Sequence, residues 1–162
     1  MARKVEARAR TQRGVFPASP RSGDHVWQGV GMPKPPLPDE LQALLREPNP
    51  AVMASLKPDG GPLSVATWYL WDDGRVLVNL DHSRARLEHL RTDPRVSLTV
   101  LDTDDWYRHV SLRGRVTAIV PDDGLKDIDR ISDHYRGEPY RNRDSPRFSA
   151  WIEVDSWHAW NV

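Results

Sequence analysis

Cysteine is absent from the chain, which excludes disulfides, thiolate metal sites, redox dithiols and a cysteine nucleophile, and gives no reason to place it in an oxidising compartment. No apolar run approaches the roughly 18 residues that a membrane-spanning helix needs, and the first residues lack the apolar centre of a signal peptide. The expected location is the cytoplasm. Equally missing are a Gly-x-Ser-x-Gly elbow, a Walker loop, a dinucleotide glycine fingerprint and His-Glu-x-x-His, so four common routes to catalysis close. The six histidines, at 25, 82, 89, 109, 134 and 158, never pair at ligand spacing with a carboxylate and read as surface or partly buried imidazoles. Asp102-Thr103-Asp104-Asp105 has the composition of a calcium loop without its turn glycine or distal Glu, and reads as a solvated turn.

Net charge is zero but unevenly placed: residues 1–36 hold seven Lys/Arg against two acids, and the remainder sixteen against twenty-one. The first segment has little aliphatic periodicity and many Gly and Pro, so it is expected to be a basic disordered extension, with nucleic-acid binding the less favoured reading. Met32 precedes a stretch that reads as a beginning in itself, which leaves the place of residues 1–31 in the native protein open. Residues 37–162 are long enough for one domain with one core, burying roughly two thirds of the unfolded surface.

Within that domain, Leu41, Leu44 and Leu45 stand at helical spacing behind Asp39 as a cap. "AVMASLK" alternates, "PDGG" turns, "PLSVATWYLW" reads as one strand, and "DDG" turns again onto "RVLVNL". After an Arg-rich helix, "RVSLTVL" and the long "YRHVSLRGRVTAIV" are strands, the second carrying Gly114 as a bulge or sharp bend. Leu125, Ile128, Ile131 and Tyr135 mark a further helix ended by Gly137 in the left-handed region, and "RFSAWIEVDSWHAWNV" closes the chain in strand. Short hairpin turns with singly inserted helices predict a mainly β protein, an antiparallel barrel with flanking helices. "SVATWYLW" is apolar on both faces and needs a cover, whether a helix, a partner subunit or a flat ligand. Of the seven tryptophans, Trp68, Trp71 and Trp106 are those considered for a planar ligand.

"HSRARLEHLRTDP", from residue 82 to 94, carries the chemistry. With Ser83 as N-cap, Arg84 and Arg86 face the positive end of the helix dipole, each costing about 0.3 to 1 kcal/mol. Arg84 has Glu88 four residues on as a partner. Arg86 has none within the helix. A helix start, a hydroxyl and two guanidiniums suited to phosphate oxygens make an anion site.

Taken together, "SVATWYLWDDGRVLVNLDHSRARLEHLRTDPRVSLTV", "WYRHVSLRGRV" and "ISDHYRGEPY" resemble the split-barrel family of pyridoxamine 5'-phosphate oxidase-like proteins, in its branch that uses the deazaflavin coenzyme F420. The resemblance implies an FMN-binding-like split β-barrel and a cofactor lying between the two barrels of a homodimer. It assigns Arg84 and Arg86 to the phosphate with Asn79 and Ser83 beside it. The backbone of Thr67, Trp68 and Tyr69 would run along the ring, with Trp106 supplied by the second subunit. The family usually has Lys where Arg86 stands and Asn where His89 stands. Ala85 separates the two arginines, whereas the FMN-dependent oxidases place Lys directly after Arg. The implied activity is hydride transfer from reduced F420 to a small unsaturated substrate, in which the protein orients the ring and excludes water. His109 and Tyr140 are candidate proton donors, and Arg141 and Arg143 candidates for the coenzyme's acidic tail. The alternatives are an FMN-dependent oxidoreductase of the same fold, and a non-catalytic barrel that carries the cofactor or haem.

Overall fold

A computed structural model describes residues 32–162; most of the proposed basic extension lies outside the described residues. Its last residues do not behave as a free tail, because the backbone N–H of Trp157 donates to the Pro33 carbonyl at 2.9 Å and its indole N–H to the Lys34 carbonyl at 3.3 Å. The chain is therefore tied to the sheet before residue 37.

The elements are helix α1 (Asp39–Arg46), strands β1 (Ala51–Leu56), β2 (Pro62–Thr67), β3 (Leu70–Asp72) and β4 (Arg75–Asp81), helix α2 (Ala85–Thr92), strands β5 (Arg95–Leu101) and β6 (His109–Pro121), helix α3 (Lys126–Arg136) and strand β7 (Arg147–Trp160). All strand pairs are antiparallel, in the order β2-β1-β5-β6-β7-β4-β3. This is the expected split β-barrel with flanking helices. No helix of the described residues is long and apolar enough to cross a membrane.

Among the described residues four strands precede α2, one more than the sequence suggests, because the apolar run "PLSVATWYLW" breaks at Trp68-Tyr69. The cause is Tyr69, whose ring is fully buried and whose hydroxyl donates to the Leu45 carbonyl at 3.0 Å. β2 and β3 therefore take opposite ends of the strand order, and the backbone crosses between them at these two residues. Turn chemistry fixes the hairpin that follows. Asp73 and Gly74 both have positive φ, 48° and 76°, the pairing that a tight turn matched to strand twist requires.

β6 and β7 form the long central pair, with register shifts at Arg113/Gly114 and Val116/Ala118. A side chain at Gly114 would overlap the Glu153 carbonyl, so the bulge depends on glycine there. The core comprises Met53, Val78, Leu98, Val100 and Val110 from the strands, sealed by Leu41, Leu44 and Leu45 of α1. Pro38, not Asp39, occupies the N-cap of α1, and Asp39 is its first helical residue. A carboxylate there still suits the helix dipole. α3 ends as expected, Gly137 turning left-handed at φ 69° and its N–H donating to the Asp133 carbonyl at 2.7 Å.

Candidate functional site

Between the end of β2, the start of α2 and the side of α3 lies an open cleft of about 1180 Å³. Pro48, Pro50, Leu63 and Val65 give it an apolar wall, and Arg84, Arg86, Arg136, Arg141 and Arg147 also line it, with Asp81 the one carboxylate among the described lining residues. A ligand with a flat apolar body and an anionic end matches this lining.

The start of α2 differs from the expectation that Ser83 caps it. Ser83 instead gives both its N–H (2.9 Å) and its hydroxyl (2.7 Å) to Asp81 Oδ1. These bonds hold the Asp81 carboxyl down at about 2, the hydroxyl contributing most. One residue ahead of the cap position, the hydroxyl donates to Asp81 instead of accepting from the first-turn N–H groups. Arg84 thus becomes the N-cap with extended backbone, and no side chain caps the helix. The Leu87 N–H closes onto the Arg84 carbonyl at 2.8 Å, and the start of α2 brings Arg84 and Arg86 to the cleft together.

Neither arginine is neutralised. Glu88 bonds Arg91 rather than Arg84, and among the described residues no carboxylate forms an ion pair with Arg84 or Arg86. Arg86 is half-buried, and its Nη1 is shut off from water without a hydrogen-bond partner among the described residues. Burial first, and then the Arg84 charge, lower its pKa. A buried unsatisfied donor costs about 1 to 3 kcal/mol. An anion here would satisfy that donor and separate two like charges, so the residues present fit a phosphate group.

Other residues expected at the site fall into three groups. Thr67, Trp68 and Asn79 line the cleft, but the Asn79 side chain is fully used. Its Nδ2 donates to Asp122 Oδ2 at 2.9 Å and Ser149 Oγ at 3.3 Å, and its Oδ1 accepts from Arg147 Nε at 2.6 Å. Trp68 is held by α3, stacked on Tyr135 at 5.2 Å with the Arg136 guanidinium 4.8 Å from its centroid. Tyr69 belongs to the core and Ser83 to the Asp81 turn, and neither lines the cleft. Trp106 is 65 % exposed on the loop before β6, against Tyr107 at 4.2 Å, and does not line the cleft of its own chain. Trp71 packs against the core, away from the cleft.

Of the two candidate proton donors, Tyr140 lines the cleft and His109 does not. Arg143 is bound to Asp129, while Arg141 lines the cleft and also pairs with Glu138 at 2.8 Å. Sequence reasoning missed Arg147, and it assigned Tyr135 only to a helix face. Tyr135 donates to the Asn49 carbonyl at 2.9 Å, and burial raises its pKa. The signal for Arg147 is its position on the face of β7 opposite to Phe148 and alternating with it, where Arg147 and Ser149 are both buried.

The family model for pyridoxamine 5'-phosphate oxidase matches residues 37–161. Among solved structures, an F420 reductase is 26% identical, with a TM-score of 0.70 over 75% of this chain and 98% of that one. A conserved hypothetical protein from Mycobacterium tuberculosis is 22% identical, with a TM-score of 0.60 over 78% of this chain and 86% of that one. General Stress Protein 26 from Bacillus anthracis is 16% identical, with a TM-score of 0.60 over 75% and 92%. The last two show a shared fold alone.

Proposed function

This chain belongs to the pyridoxamine 5'-phosphate oxidase family, and from that premise we propose that it is an oxidoreductase that holds reduced F420 in the cleft, phosphate toward α2 and ring toward the apolar wall. When bound, that coenzyme supplies hydride to a small unsaturated substrate. The observation that carries the reading is the buried, unpartnered Nη1 of Arg86 beside the unpaired Arg84. The 26% identity with a solved F420 reductase supports the choice of coenzyme.

The chain's own residues bind and orient. Arg84, Arg86 and the uncapped start of α2 hold the anion. Leu63, Val65 and Trp68, the last fixed by Tyr135, give the ring an apolar surface. The open side of the cleft needs a cover to exclude water, and Val52 and Val65 are exposed on β1 and β2. We assign that cover to a second copy of the chain, which would bring its own Trp106 loop to the cleft. Light scattering of the purified protein at working concentration tests this, and a monomer refutes it.

Calorimetric or fluorescence titration with F420 and, separately, with FMN tests the cofactor. F420 should bind more tightly, and Arg84→Ala and Arg86→Ala should each weaken it by about 1.5 to 3 kcal/mol, the worth of a charged hydrogen bond. Unchanged affinity in both variants overturns the anion site; preference for FMN overturns the choice of coenzyme.

A further inference from the structure

Arg147 is a charged residue in a place where the strand pattern favours an uncharged one. Its side chain is 8% exposed, and a buried guanidinium costs several kcal/mol unless its donors are satisfied. The donors of the fork meet two segments of the cleft lining, β4 at Asn79 and the loop at Tyr140. Nε donates to Asn79 Oδ1 on β4 at 2.6 Å, and Nη2 lies 3.5 Å from the Asn79 carbonyl. Nη1 lies 3.4 Å from the Tyr140 hydroxyl, and the guanidinium carbon sits 4.5 Å from that ring's centroid. Asp81, which holds the turn into α2, is 3.9 Å away.

The chain of contacts continues past Asn79. Asn79 donates to Asp122, and the Asp122 carboxylate accepts the first-turn N–H groups of Asp127 and Ile128, each at 3.0 Å. One network thus joins the turn before α2, the Tyr140 wall and the start of α3, the helix whose Tyr135 and Arg136 line the cleft. A planar fork with five donors spans these directions; a single ammonium does not.

We propose that Arg147 is a positioning residue: through Asn79, Tyr140 and Asp81 it sets the anion-binding start of α2 and the α3 wall at a fixed separation, without itself binding the anion. This rests on the cleft being the ligand site, but its first test needs no ligand. With 3-fluorotyrosine incorporated and the Tyr140 resonance assigned by Tyr140→Phe, Arg147→Lys should shift and broaden that fluorine signal in the free protein. An unchanged signal overturns the proposal.

The second test titrates F420 at several KCl concentrations. Arg147→Lys and Arg147→Met should both weaken binding by about tenfold or more, with the slope of log Kd against log salt unchanged because Arg84 and Arg86 still hold the anion. A shallower slope in Arg147→Met, with affinity restored in Arg147→Lys, would make Arg147 an anion ligand and overturn the positioning role. Should Arg147→Met not fold, Arg147→Lys alone decides, since it keeps a cation beside Asp81. Arg84→Ala, run alongside, separates this result from failure of the anion site itself: if it binds F420 normally while the fluorine signal moves in Arg147→Lys, the network stands and the cofactor reading falls.

Discussion

Replacing Arg86 by Met should have opposite effects on the free and the liganded protein. The substitution keeps most of the aliphatic stem and removes the guanidinium, whose Nη1 is buried without a partner and whose charge stands against Arg84. Leaving such a donor unsatisfied costs about 1 to 3 kcal/mol. Arg86 is only half-buried and water reaches the rest of the group, so the low end applies, a gain of about 1 kcal/mol in the free chain. For a domain of this size that corresponds to a rise in melting temperature of about 2 to 4 °C. With saturating cofactor the order should invert. The wild-type chain gains RT ln(1 + [L]/Kd) from binding, and the variant, lacking one charged hydrogen bond, gains about 1.5 to 3 kcal/mol less. Urea unfolding and thermal melts with and without F420 measure both terms on the same samples. If Arg86→Met lowers the stability of the free protein as loss of a satisfied buried arginine would, the argument that this donor awaits an anion is wrong.

Gly114→Ala drives a methyl group into the Glu153 carbonyl across the β6–β7 bulge and should cost about 1 to 3 kcal/mol in urea unfolding; a neutral result would mean the bulge relaxes freely. Tyr69→Phe removes the buried hydroxyl bond to the Leu45 carbonyl and should cost about 1 to 3 kcal/mol, leaving that α1 carbonyl without its donor; an unchanged urea midpoint would refute the role given to the hydroxyl. Asp81, held at about 2, contributes stability that is complete above the ordinary carboxylate value and lost as pH falls toward 2. Ser83→Ala removes the largest cause of that depression, so carboxyl NMR should find Asp81 titrating at higher pH; an unmoved titration refutes the assignment of its cause.

Much of the architecture was legible because its causes are local. Period-two alternation marked the strands, Asp73-Gly74 marked a turn that needs two positive φ values, and Gly137 marked the end of α3. Gly114 was readable as a bend because glycine inside a strand pattern is costly without a reason. Even the anion site was half legible, as two cations at a helix start that the dipole disfavours. What failed locally was the split of "PLSVATWYLW", since an unbroken apolar run gives no sign that Tyr69 turns inward to reach Leu45. The cap at Ser83 failed for a related reason: residue type does not reveal that Asp81 competes for the hydroxyl.

Sequence alone determined the β-rich barrel, the hairpin turns and the candidate cations, because backbone preference and side-chain periodicity act over a few residues. Tertiary structure decided which cations matter. Whether a guanidinium is neutralised depends on carboxylates brought near by strand pairing, and among the described residues the fold leaves Arg84 and Arg86 without ion pairs while committing Arg143 to Asp129 and Arg91 to Glu88. It also decided the cleft itself, whose walls come from residues 48 to 147, and the burial of Arg147 where β4, β7 and the Tyr140 segment meet. Electrostatic energy depends on distance and solvent exposure, and neither is fixed until the strands have paired.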